Sequence, residues 1–585
     1  MDESEAFGDP RFTGSELLPT REDERTLATR PAIALWATLV LHPFVFDFSV
    51  SRSVLDLRGL FPALAGSALV ALIGVSLLRA PQRYGLGFVA TARAAFGTRG
   101  ALLPLGVRWI AVVLWSAAWV NYLASWLARL LVGTLRRFSD AEFLAPYTDG
   151  VAFAAGVVLV AGAYRASSTA MELLAAQARR RLLYALTLGV TLVGLAAYQL
   201  EAAPTFASSG DGAAFSRQAL ALALATLPAL AAFAEWARRR MRGGVDPATG
   251  RRRDRRQRVL APFALVPTAL VFSTLGALVH EAGARASGAA PRGLVASATA
   301  FGGVLGGIGA ILFALVLFFA LVPFAGVAAP AVGVPFGRVR ARRATAVAIL
   351  IVSPFVVPAP AMVSAGLLLL PVVIILVVDE LVVRRGRVEL EGLYRAPSRY
   401  GPILGVGIAA SVSTGVGWAV LLARWDGLIY QGFPKFADLS GHLAELASGT
   451  TLEVAIVSAV ASAVVFAGLR VAERFVPEWP APRLRGPGPE RIEPAPSSIH
   501  NPGEDTEWSV AIPSPIPTGP MDPTVVEEAA AVFNDAALDG ADEWPDERLG
   551  DASEAKWYDG DDEVSNPSVT ELGDPHFVKK QDDDA

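Results

Sequence analysis

The sequence predicts an all-α polytopic membrane protein of about twelve transmembrane helices, followed by an acidic C-terminal tail that stays disordered. Three observations carry this. Of 585 residues, 53% are apolar and only 18% charged, against about a quarter charged in soluble proteins. So little charge cannot cover the surface of a soluble chain this long. Mean hydropathy is +0.44. Apolar runs long enough for a bilayer core, which takes about 20 residues per helix, recur along most of the chain.

Residues 1–30 are polar and acidic, unlike the start of a secretory signal, and read as a cytoplasmic N-terminal segment. The apolar runs then fall near 32–50, 57–78, 103–133, 150–164, 183–199, 216–236, 259–280, 294–325, 344–360, 361–378, 402–423 and 452–470. Pro358 and Pro360 separate the ninth from the tenth. Residues 31–475 thus form one transmembrane domain. Arginine sets its orientation, because cytoplasmic loops are enriched in basic residues. Arg79, Arg83, Arg93 and Arg99 follow the second run, and Arg165 and Arg179–Arg181 follow the fourth. Ten arginines lie between Arg238 and Arg258, after the sixth. Arg338–Arg343 and Arg384–Arg399 continue the alternation. Both termini are therefore expected in the cytoplasm of a cell whose arginine-rich composition reads as bacterial, with the domain in the cell membrane.

Residues 476–585 differ in kind. From residue 481 onward 7 Lys and Arg stand against 25 Asp and Glu. Such a segment cannot bury enough apolar surface to offset its ordering entropy. Only Thr524–Leu538 has the pattern of a short amphipathic helix. A basic protein partner, or the arginine-rich loops of the same chain, would match the tail's charge.

The chain has no cysteine, which excludes disulfides, thiolate metal sites and a cysteine nucleophile. It has no phosphate-binding glycine loop ending in Lys-Ser/Thr, and His280-Glu281 lacks the second histidine of a zinc helix. An enzyme is not expected, nor a cofactor, a bound metal or a nucleic-acid partner. Ionisable groups inside spans are expensive and functional by default. His42 and Asp47 lie in the first span and Glu235 ends the sixth, making these three the candidates for coupling to a cation. Asp379 and Glu380 end the tenth, where a snorkelling role is the simpler reading. Asn121 is a mid-span amide, costly unless paired. Pro43 and Pro228 interrupt the first and sixth spans at similar depth. Paired interruptions in two halves point to the midplane site of a transporter.

The stretch from Gly85 to Trp115 resembles the nucleobase–cation symporter family, permeases for cytosine, purines, uracil, hydantoins, allantoin and thiamine. The shared run is Arg93, Phe96, Gly97, Arg99, Gly100, Arg108 and Trp115. Leu18-Pro19-Thr20 with Glu24-Arg25-Thr26, Glu235-Trp236-Ala237-Arg238, and Pro371–Asp379 with Arg384-Arg385-Gly386 agree as well. The resemblance implies two inverted five-helix repeats plus two further helices, and a stacking role for Trp115. It also marks departures. Trp119 stands where the family has a glutamine, Thr226 near the place of a second stacking tryptophan, and Ala314–Phe324 lacks the hydroxyls and amide of the family's eighth span. The expected function is transport of a small planar heterocycle, with a proton rather than sodium as coupling cation. Trp115, Trp119, Asn121, Thr226, Pro43 and Pro228 would form its site, and lipid would surround it. The alternative is a transporter-like scaffold or sensor that no longer transports and acts through the acidic tail.

Overall fold

The computed structural model describes residues 29–48, 57–97, 100–139, 146–167, 171–197, 212–237, 261–288, 293–322, 338–385, 388, 393, 405–424 and 447–475. Residues 1–28 and the acidic tail, including Thr524–Leu538, lie outside them. All regular structure among the described residues is helical.

Fourteen α-helices are described. They are α1 (Thr29–Thr38), α2 (Leu57–Leu77), α3 (Arg79–Tyr84), α4 (Phe88–Phe96), α5 (Leu102–Ser139), α6 (Thr148–Ala166), α7 (Met171–Ala197), α8 (Gly212–Ala237), α9 (Leu265–Ser287), α10 (Leu294–Val322), α11 (Arg338–Val352), α12 (Pro358–Val378), α13 (Gly405–Arg424) and α14 (Ala447–Phe475). Each predicted apolar run coincides with a helix. Seven of them (α5, α6, α7, α9, α10, α12 and α14) are long and apolar enough to cross a membrane. Shorter apolar stretches lie in α2, α8 and α13.

Burial separates the middle of the bundle from its rim. In α12, Ala361, Leu367, Leu369, Val372 and Ile375 are fully buried, although the helix carries almost nothing but aliphatic residues. In α6 and α7, Val158, Leu183, Tyr184, Val190 and Leu195 are exposed. A large exposed apolar surface marks contact with a membrane or partner, and here it is the rim that lipid would cover. α12 packs on α5, α8 and α14, and α2 on α8 and α9. Small residues allow the closest approaches. A Cβ on Gly366 of α12 would overlap the Leu224 carbonyl of α8, and one on Gly276 of α9 would overlap the Phe46 carbonyl.

The first span breaks as its proline predicts. α1 ends at Thr38, backbone bonds tighten through Leu39–His42, and a π-helical turn runs over Phe44–Phe48. Pro43 can neither donate a backbone hydrogen bond nor let the helix pass unkinked. The sixth span differs from the expected interruption. α8 runs continuously through Pro228. Neighbours can take over backbone groups that a proline frees in a membrane helix. Here Gly366 lets α12 approach the Leu224 carbonyl, the one that Pro228 leaves without its usual partner. A break that no proline signals lies in α10, where Gly303 takes φ 58° and ψ −146°. That conformation is open to glycine and strained for other residues.

Two arginines are built into the packing of the bundle. Arg108 is fully buried with its guanidinium 4.5 Å from the centre of the Phe88 ring. Arg342 lies within α11 and donates to Ser167 Oγ at 2.9 Å and the Tyr164 carbonyl at 3.1 Å, joining α11 to α6. Asp379 and Glu380 do not snorkel. Both are buried in a π-helical turn, and Arg384 reaches the Asp379 carboxylate at 2.5 Å.

Candidate functional site

The break in the first span brings three predicted site residues together. His42 is fully buried, and its Nε2 lies 2.9 Å from Thr226 Oγ1 on α8. Thr226 already gives its hydroxyl proton to the Leu222 carbonyl at 2.8 Å. In that arrangement its oxygen accepts from His42, and the imidazole proton lies on Nε2. His42 Nδ1 is left as a buried acceptor with no partner among the described residues. Trp115 of α5 meets the His42 ring edge-on, with centroids 6.1 Å apart. Its indole N–H donates to the Ala225 carbonyl at 2.7 Å, one residue beyond Leu224. Trp115 is thereby fixed in orientation on the proline-bearing stretch of α8.

Trp119 lies one helical turn on and so shares the α5 face of Trp115. Its ring lies among Phe46 at 6.3 Å, Tyr122 at 6.0 Å and Phe318 at 5.6 Å. These tilted and edge-on arrangements are the ones aromatic quadrupoles favour. Trp119 is fully buried, yet its indole N–H has no acceptor among the described residues. Buried polar atoms almost always find partners, so an unpartnered one asks for an explanation. Here a donor on Trp119 and an acceptor on His42 stand on either side of the break. On α10, Phe313, Leu317, Phe318 and Leu321 are buried and apolar.

The remaining predicted residues are placed elsewhere. Asn121 is two residues past Trp119, about 200° around the helix. Its amide donates to the Val356 carbonyl at 2.6 Å and accepts from Ser125 at 3.0 Å. It therefore ties α5 to the turn between α11 and α12. Pro43 and Pro228 are the backbone frame around His42 and Thr226. The Glu235 side chain lies outside the described residues.

Asp47 does not join His42. Beyond the break its Oδ1 accepts the Leu294 N–H at 2.7 Å and lies 3.0 Å from His280 Nε2. Leu294 opens α10, so the carboxylate caps a helix N-terminus, where the backbone dipole favours negative charge. Tyr122 also interacts with this carboxylate. His280 Nδ1 in turn lies 2.8 Å from Ser297 Oγ. His280, Ser297 and Tyr122 were not foreseen as partners of Asp47. The one sequence signal was a histidine inside the seventh apolar run, and nothing local links it to residue 47.

A family model described as a permease for cytosine/purines, uracil, thiamine and allantoin matches residues 19–445. No curated protein matches the sequence. Among solved structures, Mhp1, a nucleobase-cation-symport-1 family transporter in a closed conformation with bromovinylhydantoin bound, superposes with a TM-score of 0.57. It is 17% identical and the match covers 79% of this chain and 96% of that one. The inward-facing conformation of Mhp1 gives 0.55 at 17% identity, covering 78% and 94%. At that identity the likeness speaks for the fold alone. The family match spans well over half the chain, and the protein belongs to the family of permeases for cytosine/purines, uracil, thiamine and allantoin, membrane transporters rather than enzymes.

Proposed function

We propose that the protein moves a small planar heterocycle of nucleobase type across the cell membrane by alternating access, coupled to a cation. The observation that carries this is the pair of buried polar atoms beside the break without a partner among the described residues, the acceptor His42 Nδ1 next to Trp115 and the donor Trp119 Nε1–H next to Phe46 and Phe318. A heterocycle offers a flat face for stacking and edge groups that supply one acceptor and one donor. A site with buried polar groups that need partners discriminates against ligands lacking them.

The coupling ion on this reading is a proton rather than sodium. Sodium wants several oxygen ligands, and the α10 residues nearest Trp119 supply aliphatic and aromatic carbon. His42 and Asp47 lie on the broken segment itself, and Glu235 is the third candidate. The architecture that goes with the reading is twelve spans across residues 31–475, built as two inverted five-helix repeats plus two helices. Both termini, and the acidic segment 476–585, would be cytoplasmic.

A scaffold without transport, acting through residues 476–585, is the second reading. It is favoured by the Trp115 indole N–H, which the Ala225 carbonyl already occupies. Uptake by purified full-length protein in proteoliposomes separates the two. The panel would be radiolabelled cytosine, uracil, adenine, hypoxanthine, allantoin, hydantoin and thiamine, with proton and sodium gradients imposed separately. Proton-driven uptake that Trp115→Ala abolishes is the expected result. Uptake under neither gradient, from folded protein, would favour the scaffold, as would a tail-deleted variant that loses function while Trp115→Ala keeps it.

A further inference from the structure

The Asp47 cluster is a charged group that stacking on a neutral heterocycle does not use. The polarity of its hydrogen bonds decides how many protons it holds. Ser297 Oγ lies 2.8 Å from His280 Nδ1 and also 3.0 Å from the Gly293 carbonyl, which only accepts. Suppose the serine proton points to Gly293. Its oxygen then accepts from His280 Nδ1–H, and the second imidazole proton lies on Nε2, facing Asp47. The histidine is then a cation paired with a carboxylate, and the cluster has no net charge. Suppose instead that the hydroxyl rotates to donate to Nδ1. The imidazole is then neutral, its Nε2 still faces Asp47 Oδ1 at 3.0 Å, and the cluster carries one negative charge. The Gly293 carbonyl keeps the Ser297 backbone N–H at 3.0 Å in both states. Rotation of one hydroxyl thus lets the cluster take or release one proton without losing the Asp47–His280 contact.

We propose that Asp47, His280 and Ser297 form a single-proton site whose loading closes the bundle at the end where α9 and α10 meet. This rests on the transporter reading above and names the residues that would carry its coupling ion. The site joins three elements that must part for that end to open: the broken first span, the last turns of α9 and the first turn of α10. His280 is its entry, with a side chain 14% exposed against 1% for Asp47. A net charge is costly inside the membrane region. The loaded, neutral cluster therefore suits the closed, dry state, and the unloaded one draws in water from that end. His42, five residues before Asp47 on the same broken segment, contacts Thr226 and Trp115, so movement of this segment reaches the substrate residues directly.

Few other groups compete for the role. Tyr122 faces Asp47 from α5 and carries a phenol rather than a carboxylate or an amine. Glu281 of α9 pairs with Arg285 at 2.9 Å. Arg129 of α5 lies over the Trp126 ring at 5.1 Å. Asp379, Glu380 and Arg384 lie beyond the C-terminal end of α12. The described stretch of α10, Leu294–Val322, has no titratable side chain.

The absence of native cysteine makes the test clean. Ala277→Cys places one thiol on α9, a turn deeper than His280. The full-length variant would be reconstituted in proteoliposomes and treated with a membrane-impermeant methanethiosulfonate reagent at pH 5.5 and pH 8.5. One linked proton shifts an equilibrium by up to about 10-fold per pH unit. The labelling rate should therefore fall at acid pH by at least about 5-fold more in this background than in the same cysteine carrying Asp47→Asn or His280→Gln. The thiol's own ionisation is common to all three and cancels. Ser297→Ala should flatten the profile too, and Glu281→Gln should keep it. An identical pH profile in the parent and in both His280→Gln and Asp47→Asn, each eluting as folded protein, overturns the proposal. A protein that takes up none of the heterocycles yet keeps the His280-dependent profile would sink the transport reading and leave the proton site standing.

Discussion

Five residues separate two neighbourhoods of opposite character. Before Pro43, His42 sits among aromatic rings with one nitrogen satisfied by Thr226 and the other bare. After it, Asp47 accepts from a helix N-terminus and lies 3.0 Å from an imidazole nitrogen. The first neighbourhood is neutral and has polar capacity left over. The second is built round a carboxylate whose Oδ1 is tied down by the Leu294 N–H. Leftover capacity in a buried aromatic shell is what a ligand can complete. A satisfied charge holds elements together, and its removal leaves groups stranded. On the proposed reading the chain uses one broken helix for two jobs, and they should respond differently to substitution.

The largest difference is expected from Asp47→Ala, which strands His280 and the Leu294 N–H. Removing one partner of a buried ion pair costs about 3–5 kcal/mol. A large fall in the melting temperature of the detergent-purified protein would register it, and Asp47→Asn should recover part of the loss. A melting point near the parent's would mean that the second neighbourhood is not the satisfied one.

Gly366→Ala probes the frame of the first neighbourhood. Its methyl group would meet the Leu224 carbonyl, and overpacking of this kind costs about 1–3 kcal/mol. Spacing between α8 and α12 would change, so reduced thermal stability should come with weakened uptake. Unchanged stability would show that the two helices can separate freely.

Trp119→Phe sharpens the contrast because it keeps an aromatic ring at this place while removing the bare N–H together with the five-membered part of the indole. Stability should fall modestly, by the packing the smaller ring gives up, although no satisfied hydrogen bond is lost. Affinity for a transported heterocycle should drop by about 1 kcal/mol, the worth of one neutral hydrogen bond, or roughly fivefold. Equal affinity in a binding measurement would remove Trp119 from the site.

The smallest effect is expected at Asn121. Asn121→Ala loses the bond to the Val356 carbonyl at a cost of about 0.5–1 kcal/mol, and ligand affinity should not move. A clear affinity change would return Asn121 to the binding residues.

Much of this was legible in the sequence. The helices stand where the apolar runs stand, since each run is continuous and is bounded by charge or proline, and seven of the helices are long enough to cross a membrane. The break at Pro43 was legible for the same local reason. The Pro228 helix was not, because whether a proline unwinds a helix depends on what meets the freed carbonyl, and that is Gly366, 142 positions later in the chain. Nor was the break at Gly303 legible, in a helix with many glycines. Of the site, Trp115, Thr226 and His42 were each named in the sequence, but not their contact.

The sequence by itself determined that this chain is a helical membrane protein with a basic apolar body and an acidic tail. Those properties follow from composition and period, which every residue reports locally. Only the tertiary structure decided that the Asn121 amide meets the Val356 carbonyl, that Asp379 and Glu380 are buried beside Arg384, and that Asp47 faces His280 rather than His42. A polar atom's role depends on which partner it meets, and in a helical bundle that partner comes from another helix far along the chain.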